Sequence, residues 1–98
     1  MNSERRNLLL KRTIEARIDK YKLGAIILNI DESILKASDA GVFKCTTNIF
    51  ALEHDQVATI YMHYRYEGLD IQPIDFDFSS NNLYSGKFNI GWAFERSK

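Results

Sequence analysis

The spacing of apolar residues changes near Gly24. Before it, apolar side chains recur at the i, i+4, i+8, i+11 positions that form one face of a helix. These positions are Leu10, Ile14, Ile18 and Tyr21. Ser3 suits the N-cap, and the basic Lys20 and Lys22 before Gly24 suit the last turn. The pattern predicts an amphipathic helix over residues 3–22.

The next segment has a different character. Residues 23–30 form a short, uninterrupted apolar run rich in isoleucine, which is typical of a strand buried on both faces. For residues 31–40 two interpretations remain. In the first, Asp31 is the N-cap of a short helix. In the second, the segment is another strand, which ends in the turn at 38–41. The strand is slightly favoured because such a helix would have barely two turns.

The remainder of the chain predicts strands separated by polar turns. Residues 42–52 are rich in β-branched and aromatic side chains, and residues 56–66 alternate between two faces. Pro73 cannot donate a ladder hydrogen bond, so it places the strand over 71–78 at a sheet edge. In that strand Ile74, Phe76 and Phe78 are expected to point inward. Phe88, Ile90, Trp92 and Phe94 share one face of a last strand.

These elements predict an α+β fold in one domain spanning residues 1–98. An N-terminal amphipathic helix would pack on one face of an antiparallel sheet of about five strands. The other face would then expose aromatic side chains such as Tyr61, and an exposed apolar patch is usually a partner surface. A second short helix beginning at Asp31 is the alternative cover for that face.

Composition agrees with a folded protein that is neither secreted nor membrane-spanning. Of the 98 residues, 45% are apolar, a fraction typical of globular domains. One cysteine cannot form an internal disulfide, which favours the reducing cytoplasm. The N-terminus lacks the pattern of a signal peptide, and no apolar run approaches the length that crosses a bilayer. We therefore expect a cytoplasmic protein.

The chain carries no recognisable catalytic or cofactor motif. Cys45 is expected to be a buried structural thiol, and neither His54 nor His63 has the partners that a zinc site requires. Asp75 and Asp77 project to one side of a predicted edge strand, where acidic residues commonly prevent aggregation. The dispersed glycines form no phosphate-binding loop. The expectation is a non-enzymatic protein without metal or cofactor.

Charge is unevenly distributed although the net charge is zero. Through Lys22 there are seven basic and three acidic residues, a net charge of +4, and the rest of the chain carries six basic and ten acidic residues, a net charge of −4. The sequence thus predicts a basic helix joined to an acidic sheet. Such fields mainly affect encounter rates and the choice of partner.

Two functions follow from this layout. The first is an inhibitor of the immunity-protein or antitoxin kind, whose acidic, aromatic sheet face binds the basic surface of a toxin or nuclease. The residues predicted to bind that partner are Asp55, Tyr61, His63, Arg65, Asp70, Asp75 and Asp77.

The alternative is a nucleic-acid-binding module that uses the basic helix. Its candidate residues are Arg5, Arg6, Lys11, Arg12 and Arg17. A near-neutral chain with an acidic sheet repels phosphate, so nucleic acid is the less favoured partner, and no membrane partner is expected. The exposed edge near Pro73 leaves a homodimer open.

Overall fold

A computed structural model describes residues 3–93 as three helices and three strands. In chain order they are α1 (Ser3–Lys20), α2 (Gly24–Asp39), β1 (Lys44–Leu52), α3 (His54–Tyr66), β2 (Asp70–Phe78) and β3 (Tyr84–Gly91). The predicted α+β class and the N-terminal helix are confirmed. The prediction of about five strands is wrong, because two of the predicted strands are helices.

The sheet has the strand order β1-β3-β2, with both neighbouring pairs antiparallel. Strands β1 and β2 therefore run in the same direction and are linked by α3, while β3 lies between them. A tight turn at residues 79–83 joins β2 to β3, where the Ser79 amide donates to the carbonyl of Leu83. This arrangement makes β1 and β2 the two edge strands.

The core lies between the sheet and a layer formed by α2 and α3. Helix α2 packs on β1, and α3 packs on β2. Both helices contribute to a single buried cluster with the inward side of the sheet. Its fully buried members include Leu23, Ile30, Ile60, Tyr64, Ile71, Phe88 and Ile90. Helix α1 packs on α3 instead of on the sheet, and Ile14 is its one buried residue.

The strand predicted over residues 23–30 is wrong, since these residues begin helix α2. The helix continues through residues 31–39, so the helical alternative for that segment holds, but as part of a longer helix. Leu23, Ile27, Ile30 and Ile34 share one helical face and pack in the core. The isoleucine-rich composition resembled that of a strand, but burial of this continuous stripe outweighs the weak intrinsic preference of β-branched residues.

The strand predicted over residues 56–66 is also wrong, because this segment is α3. Its first turn is fixed by a capping box, in which the Glu53 side chain accepts from the N3 backbone and Gln56 accepts from the Glu53 amide. Apolar and polar residues do alternate over residues 62–66, but Val57 and Ala58, and then Ile60 to Met62, are consecutive apolar residues. However, burial follows the helical positions Thr59, Ile60 and Tyr64.

Strands β1 and β2 lie where they were predicted, and Pro73 does lie in an edge strand. The last strand includes Phe88 and Ile90 as predicted, but it begins at Tyr84 and ends at Gly91, before Trp92. The inward set predicted for β2 needs correction. A bulge between Ile74 and Asp77 shifts the register, and Asp75 within it has a positive φ of 52°. Before the bulge, Ile74 lies opposite the exposed Lys87. After the bulge, Phe78 is exposed. Of the predicted inward set, only Phe76 packs inward, against Phe88. The position of Phe94 lies outside the described residues.

The sheet face away from the helices does not carry the aromatic patch expected there. Val57 and Tyr61 lie on α3, and the open face presents mainly polar side chains. Thr46, for example, donates a 2.6 Å hydrogen bond to the Asn89 side chain across the β1 and β3 strands. Helices α2 and α3 both cover the opposite face, so the alternative interpretation, in which a helix beginning at Asp31 covers the face left open by the first helix, is also wrong. Phe50 is an exposed apolar exception on the open face.

Candidate protein-binding surface

An apolar groove of about 480 Å³ opens between α3 and the sheet. Helix α3 supplies one wall and strands β2 and β3 supply the other. The lining residues are His54, Val57, Ala58, Tyr61, Met62, Pro73, Phe76, Tyr84 and Phe88. We call this feature the α3–β2 groove. Its walls are almost entirely apolar, so the groove is suited to an apolar or aromatic side chain.

Aromatic contacts hold the sheet wall of this groove in place. The rings of Phe76 and Phe88 have centroids 5.2 Å apart, and those of Phe78 and Tyr84 are 4.7 Å apart. At the end of α3 the ring of His54 is 6.0 Å from that of Tyr84. Tilted ring pairs at such separations are favourable and restrict rotation, so the sheet wall is pre-formed.

Gly86 allows Phe76 to occupy its place in this wall. A Cβ atom at position 86 would lie 2.9 Å from the Cα atom of Phe76 and would overlap its ring. The backbone of Phe76 cannot yield without disturbing the paired strands. The absence of a side chain at Gly86 therefore permits the bulge in β2 to direct Phe76 inward.

The edge strand β2 carries three exposed carboxylates, Asp70, Asp75 and Asp77, as well as the Pro73 and Phe76 that line the α3–β2 groove. Asp75 and Asp77 flank the inward-facing Phe76 in the chain but line a depression of about 360 Å³ on the open face of the sheet, together with Phe50 and Lys87. The groove and these two carboxylates therefore lie on opposite faces of the same edge strand.

Of the predicted binding residues on α3, only Tyr61 lines the groove. Asp55 lies in the first turn of α3 and accepts a 3.4 Å hydrogen bond from the Tyr21 hydroxyl. It is also 3.9 Å from the Arg17 guanidinium, whose Nε donates to the Thr59 hydroxyl at 3.0 Å. Asp55 and Arg17 therefore join α1 to α3.

His63 and Arg65 point away from this groove. The His63 ring packs edge-on against Tyr64 at 4.6 Å, and its Nε2 atom is 3.9 Å from a Glu67 oxygen. Arg65 and Asp70 line another cavity, of about 870 Å³, at the end of the sheet where Trp92 lies. The structure thus does not bring the predicted binding residues together in one site.

The basic residues of α1 have unequal surroundings. Arg17 hydrogen-bonds to Thr59 of α3, whereas Arg5, Arg6, Lys11 and Arg12 are exposed on the helix surface. Leu8 and Leu9 between them are also more than half exposed. The four exposed cations leave α1 able to attract an anionic partner.

The candidate nucleophile and metal ligands do not form a reactive cluster. Cys45 lies on the inward side of β1, where partial burial raises the pKa of its thiol and so disfavours the thiolate. Among residues 3–93 no group of three or more histidine, cysteine or acidic side chains is placed to hold a metal ion. Within the same residues, no helix is long and apolar enough to span a bilayer.

Sequence reasoning missed several residues of the groove, including Met62, Tyr84 and Phe88. These residues were missed because α3 was predicted to be a strand, with Tyr61 on a sheet face, so no groove between a helix and the sheet was expected. The capping box formed by Glu53 and Gln56 is a local signal that could have identified the helix.

Comparison with known proteins gives no relative of this chain: no family model, no curated protein and no solved structure matches it.

Proposed function

We propose that this protein is a non-enzymatic, cytoplasmic inhibitor that binds another protein, in the manner of an immunity protein or antitoxin. The observation that supports it is the pre-formed α3–β2 groove, one wall of which belongs to the edge strand β2 that also carries three exposed carboxylates. The partner has an apolar or aromatic side chain that enters the groove and basic residues that pair with the β2 carboxylates.

The chemistry of this surface resembles that of binding hot spots. Aromatic side chains held by their neighbours provide buried area at small entropic cost, while carboxylates on the same edge strand steer a basic partner. The nucleic-acid cleft of a toxin or nuclease offers basic groups of this kind, since Lys and Arg bind phosphate there. Blocking such a cleft would inhibit the enzyme without chemistry from the inhibitor.

The first test compares capture from a lysate of the native host by the wild-type protein and by an acid-depleted variant. The variant combines Asp70→Lys, Asp75→Asn and Asp77→Lys; asparagine is used at 75 because it tolerates the positive φ there. The captured partner is identified by mass spectrometry and purified. We expect the variant to associate more slowly and to lose most of the salt dependence of the association rate.

The second step asks whether binding inhibits the partner. Ala58→Trp fills the groove from α3, and Ala25→Trp on the exposed surface of α2 serves as the matched control. Groove filling should abolish stoichiometric inhibition of the purified partner, while the control should retain it. Equal inhibition by both variants would rule out the groove as the binding site.

The alternative proposal, nucleic-acid binding, depends on the exposed cations of α1. Combined replacement of Arg5, Arg6 and Arg12 by glutamine would then abolish RNA or DNA binding at low salt. If wild type captures nucleic acid and this variant does not, the alternative replaces the inhibitor. If wild type captures none, the alternative is eliminated.

A further inference from the structure

Strand β1 has a free edge with outward-facing backbone groups. The amide of Trp92 donates to the Phe43 carbonyl, and the antiparallel register continues this pattern at every second residue. Cys45, Thr47 and Ile49 therefore face β3 with their backbone groups. Lys44, Thr46 and Asn48 direct theirs to the other side, where no strand among residues 3–93 pairs with them.

The two edges of the sheet differ in their protection. At the β2 edge, Pro73 lies opposite Phe88. The backbone groups of Phe88 face β1, so those of residue 73 face away from the sheet, and the N–H that proline lacks would have pointed outward. The β2 edge also carries Asp70, Asp75 and Asp77. Strand β1 has neither a proline nor an acidic residue. Lys44 at its start is its one charge, and its register shift begins only after Ile49, so residues 45–49 lack the proline, charge and bulge that usually prevent strand addition.

A second groove, of about 230 Å³, follows the free edge of β1. Helix α2 lines it with Ile26, Asn29 and Ile30, and β1 lines it with Ile49 and Leu52 of the covered face as well as Asn48 and Phe50 of the open face. A depression that contacts both faces of β1 must pass around the edge that β3 leaves unpaired. Its size and the aliphatic part of its lining suit one branched aliphatic side chain, and Asn29, Thr47 and Asn48 add polar groups to the lining.

The side chains exposed along β1 indicate which residues of an antiparallel segment would complement them. Lys44, at the start of β1, is the one charged residue of the strand, and Phe50, near its end, is 85% exposed. A segment antiparallel to β1 ends beside Lys44, so an acidic residue at its C-terminal end is complementary. An apolar side chain toward its N-terminal end would cover Phe50.

We propose that an extended segment of another protein adds to β1 as an antiparallel strand. Its alternate residues place an aliphatic side chain in the groove beside α2, and its acidic C-terminal end pairs with Lys44. Backbone hydrogen bonds supply much of the affinity, and the groove supplies side-chain selection. This inference goes beyond the proposed inhibitor surface, which lies at the β2 edge of the sheet.

The test uses a fluorescein-labelled pool of eight-residue peptides, with valine, leucine or isoleucine alternating with threonine and aspartate at the C-terminus. Fluorescence anisotropy measures binding to the wild type, to Asn48→Pro and to Asn48→Ala. The N–H removed by proline at 48 faces outward, so the β1–β3 ladder is retained. We expect Asn48→Ala to bind as wild type and Asn48→Pro to bind about tenfold more weakly.

A chemical control on the peptide keeps the test independent of protein folding. Methylating alternate backbone nitrogens of the peptide removes its donors to β1 without altering its side chains, and should abolish binding to the wild-type protein. Lys44→Glu should reverse the preference, so that peptides ending in lysine bind more tightly than those ending in aspartate. Asp77→Lys, on the other edge strand, should leave the affinity unchanged.

Three outcomes would overturn the proposal. The first is that the pool fails to bind, and the second is that methylated and unmethylated peptides bind equally. The third is a wild-type homodimer, detected by size-exclusion chromatography with light scattering, that Asn48→Pro converts to a monomer. In that case the free edge of β1 is occupied by a second copy of the chain.

Discussion

At the scale of single residues, Tyr64 joins two helices through a buried hydroxyl. Its side chain is fully buried, and the hydroxyl lies 2.7 Å from an Asp31 carboxylate oxygen and 3.3 Å from the Ile27 carbonyl. A phenol has one proton to donate, and the shorter distance and the negative charge favour Asp31 as the acceptor. Burial raises the pKa of Tyr64 well above its usual range, and the hydrogen bond to Asp31 and the negative charge of Asp31 raise it further.

Tyr64→Phe tests this contact. We expect the free energy of unfolding at neutral pH to fall by about 1–2 kcal/mol, because a hydrogen bond to a charged acceptor is lost while the ring still fills the core. Urea unfolding followed by circular dichroism gives this value. Tyr61→Phe is the control, since Tyr61 is 38% exposed, and it should change stability little. A Tyr64→Phe protein as stable as wild type would mean that the hydroxyl contributes nothing.

The same contact also makes stability depend on alkaline pH. The folded protein retains the Tyr64 proton at pH values where the unfolded chain, with a tyrosine pKa of about 10, has lost it. The contribution of the raised Tyr64 pKa to the free energy of unfolding is complete below pH ~10. Above that pH it declines by up to about 1.4 kcal/mol for each pH unit. Tyr64→Phe should therefore lose less stability than wild type as the pH rises above this value.

At the scale of elements, α1 is the helix with the fewest buried residues. It buries Ile14, and it hydrogen-bonds to α3 through Arg17 with Thr59 and through the Asn7 carbonyl with the Tyr66 hydroxyl. Helices with few buried contacts open locally before the core unfolds. Helix α1 is therefore expected to be less protected than α2 and α3.

Ile14→Ala should weaken this attachment more than it weakens the core. Truncating a buried isoleucine costs about 2–5 kcal/mol, but an opening confined to α1 limits the loss to that element. Amide hydrogen exchange should accelerate in α1 and change little in β3. Leu9→Ala, at a position 53% exposed, is the matched control and should leave both rates near wild type. Equal acceleration in α1 and β3 would show instead that α1 is part of the global folding unit.

The success of sequence reasoning also varied by element, for physical reasons. Helix α1 has a clear stripe and little competing β-preference, and β1, β2 and β3 each follow turn residues, such as Gly41 before β1 and Gly68 before β2. Helix α2 was misassigned because isoleucine occurs in both helices and strands. The apolar stripe that identifies the helix continues past Asp31, where the prediction had divided the segment. Helix α3 was misassigned because its residues also fit a period of two. The groove depends on tertiary details, the bulge at Asp75 and the space at Gly86, which the local pattern does not contain.

At the scale of the whole molecule, the charges are separated across α3. The basic α1 packs on this helix, which in turn packs on the acidic edge strand β2. The chain has no net charge at pH 7 and a pI near 6.7, so no long-range repulsion keeps two copies apart. At low ionic strength the basic end of one molecule should therefore attract the acidic edge of another.

This attraction predicts that weak association depends on salt. Near the pI, the second virial coefficient from static light scattering should be negative at about 0.01 M salt and should rise toward zero or above at about 0.15 M, as the Debye length falls from about 30 to 8 Å. Replacing Arg5, Arg6 and Arg12 with glutamine removes charge from α1 and adds net negative charge. At low salt the coefficient of this variant should be clearly less negative than that of wild type. If added salt leaves the wild-type coefficient unchanged or makes it more negative, then apolar contacts govern the association, and the exposed Leu8, Leu9 and Phe50 become the surfaces to alter first.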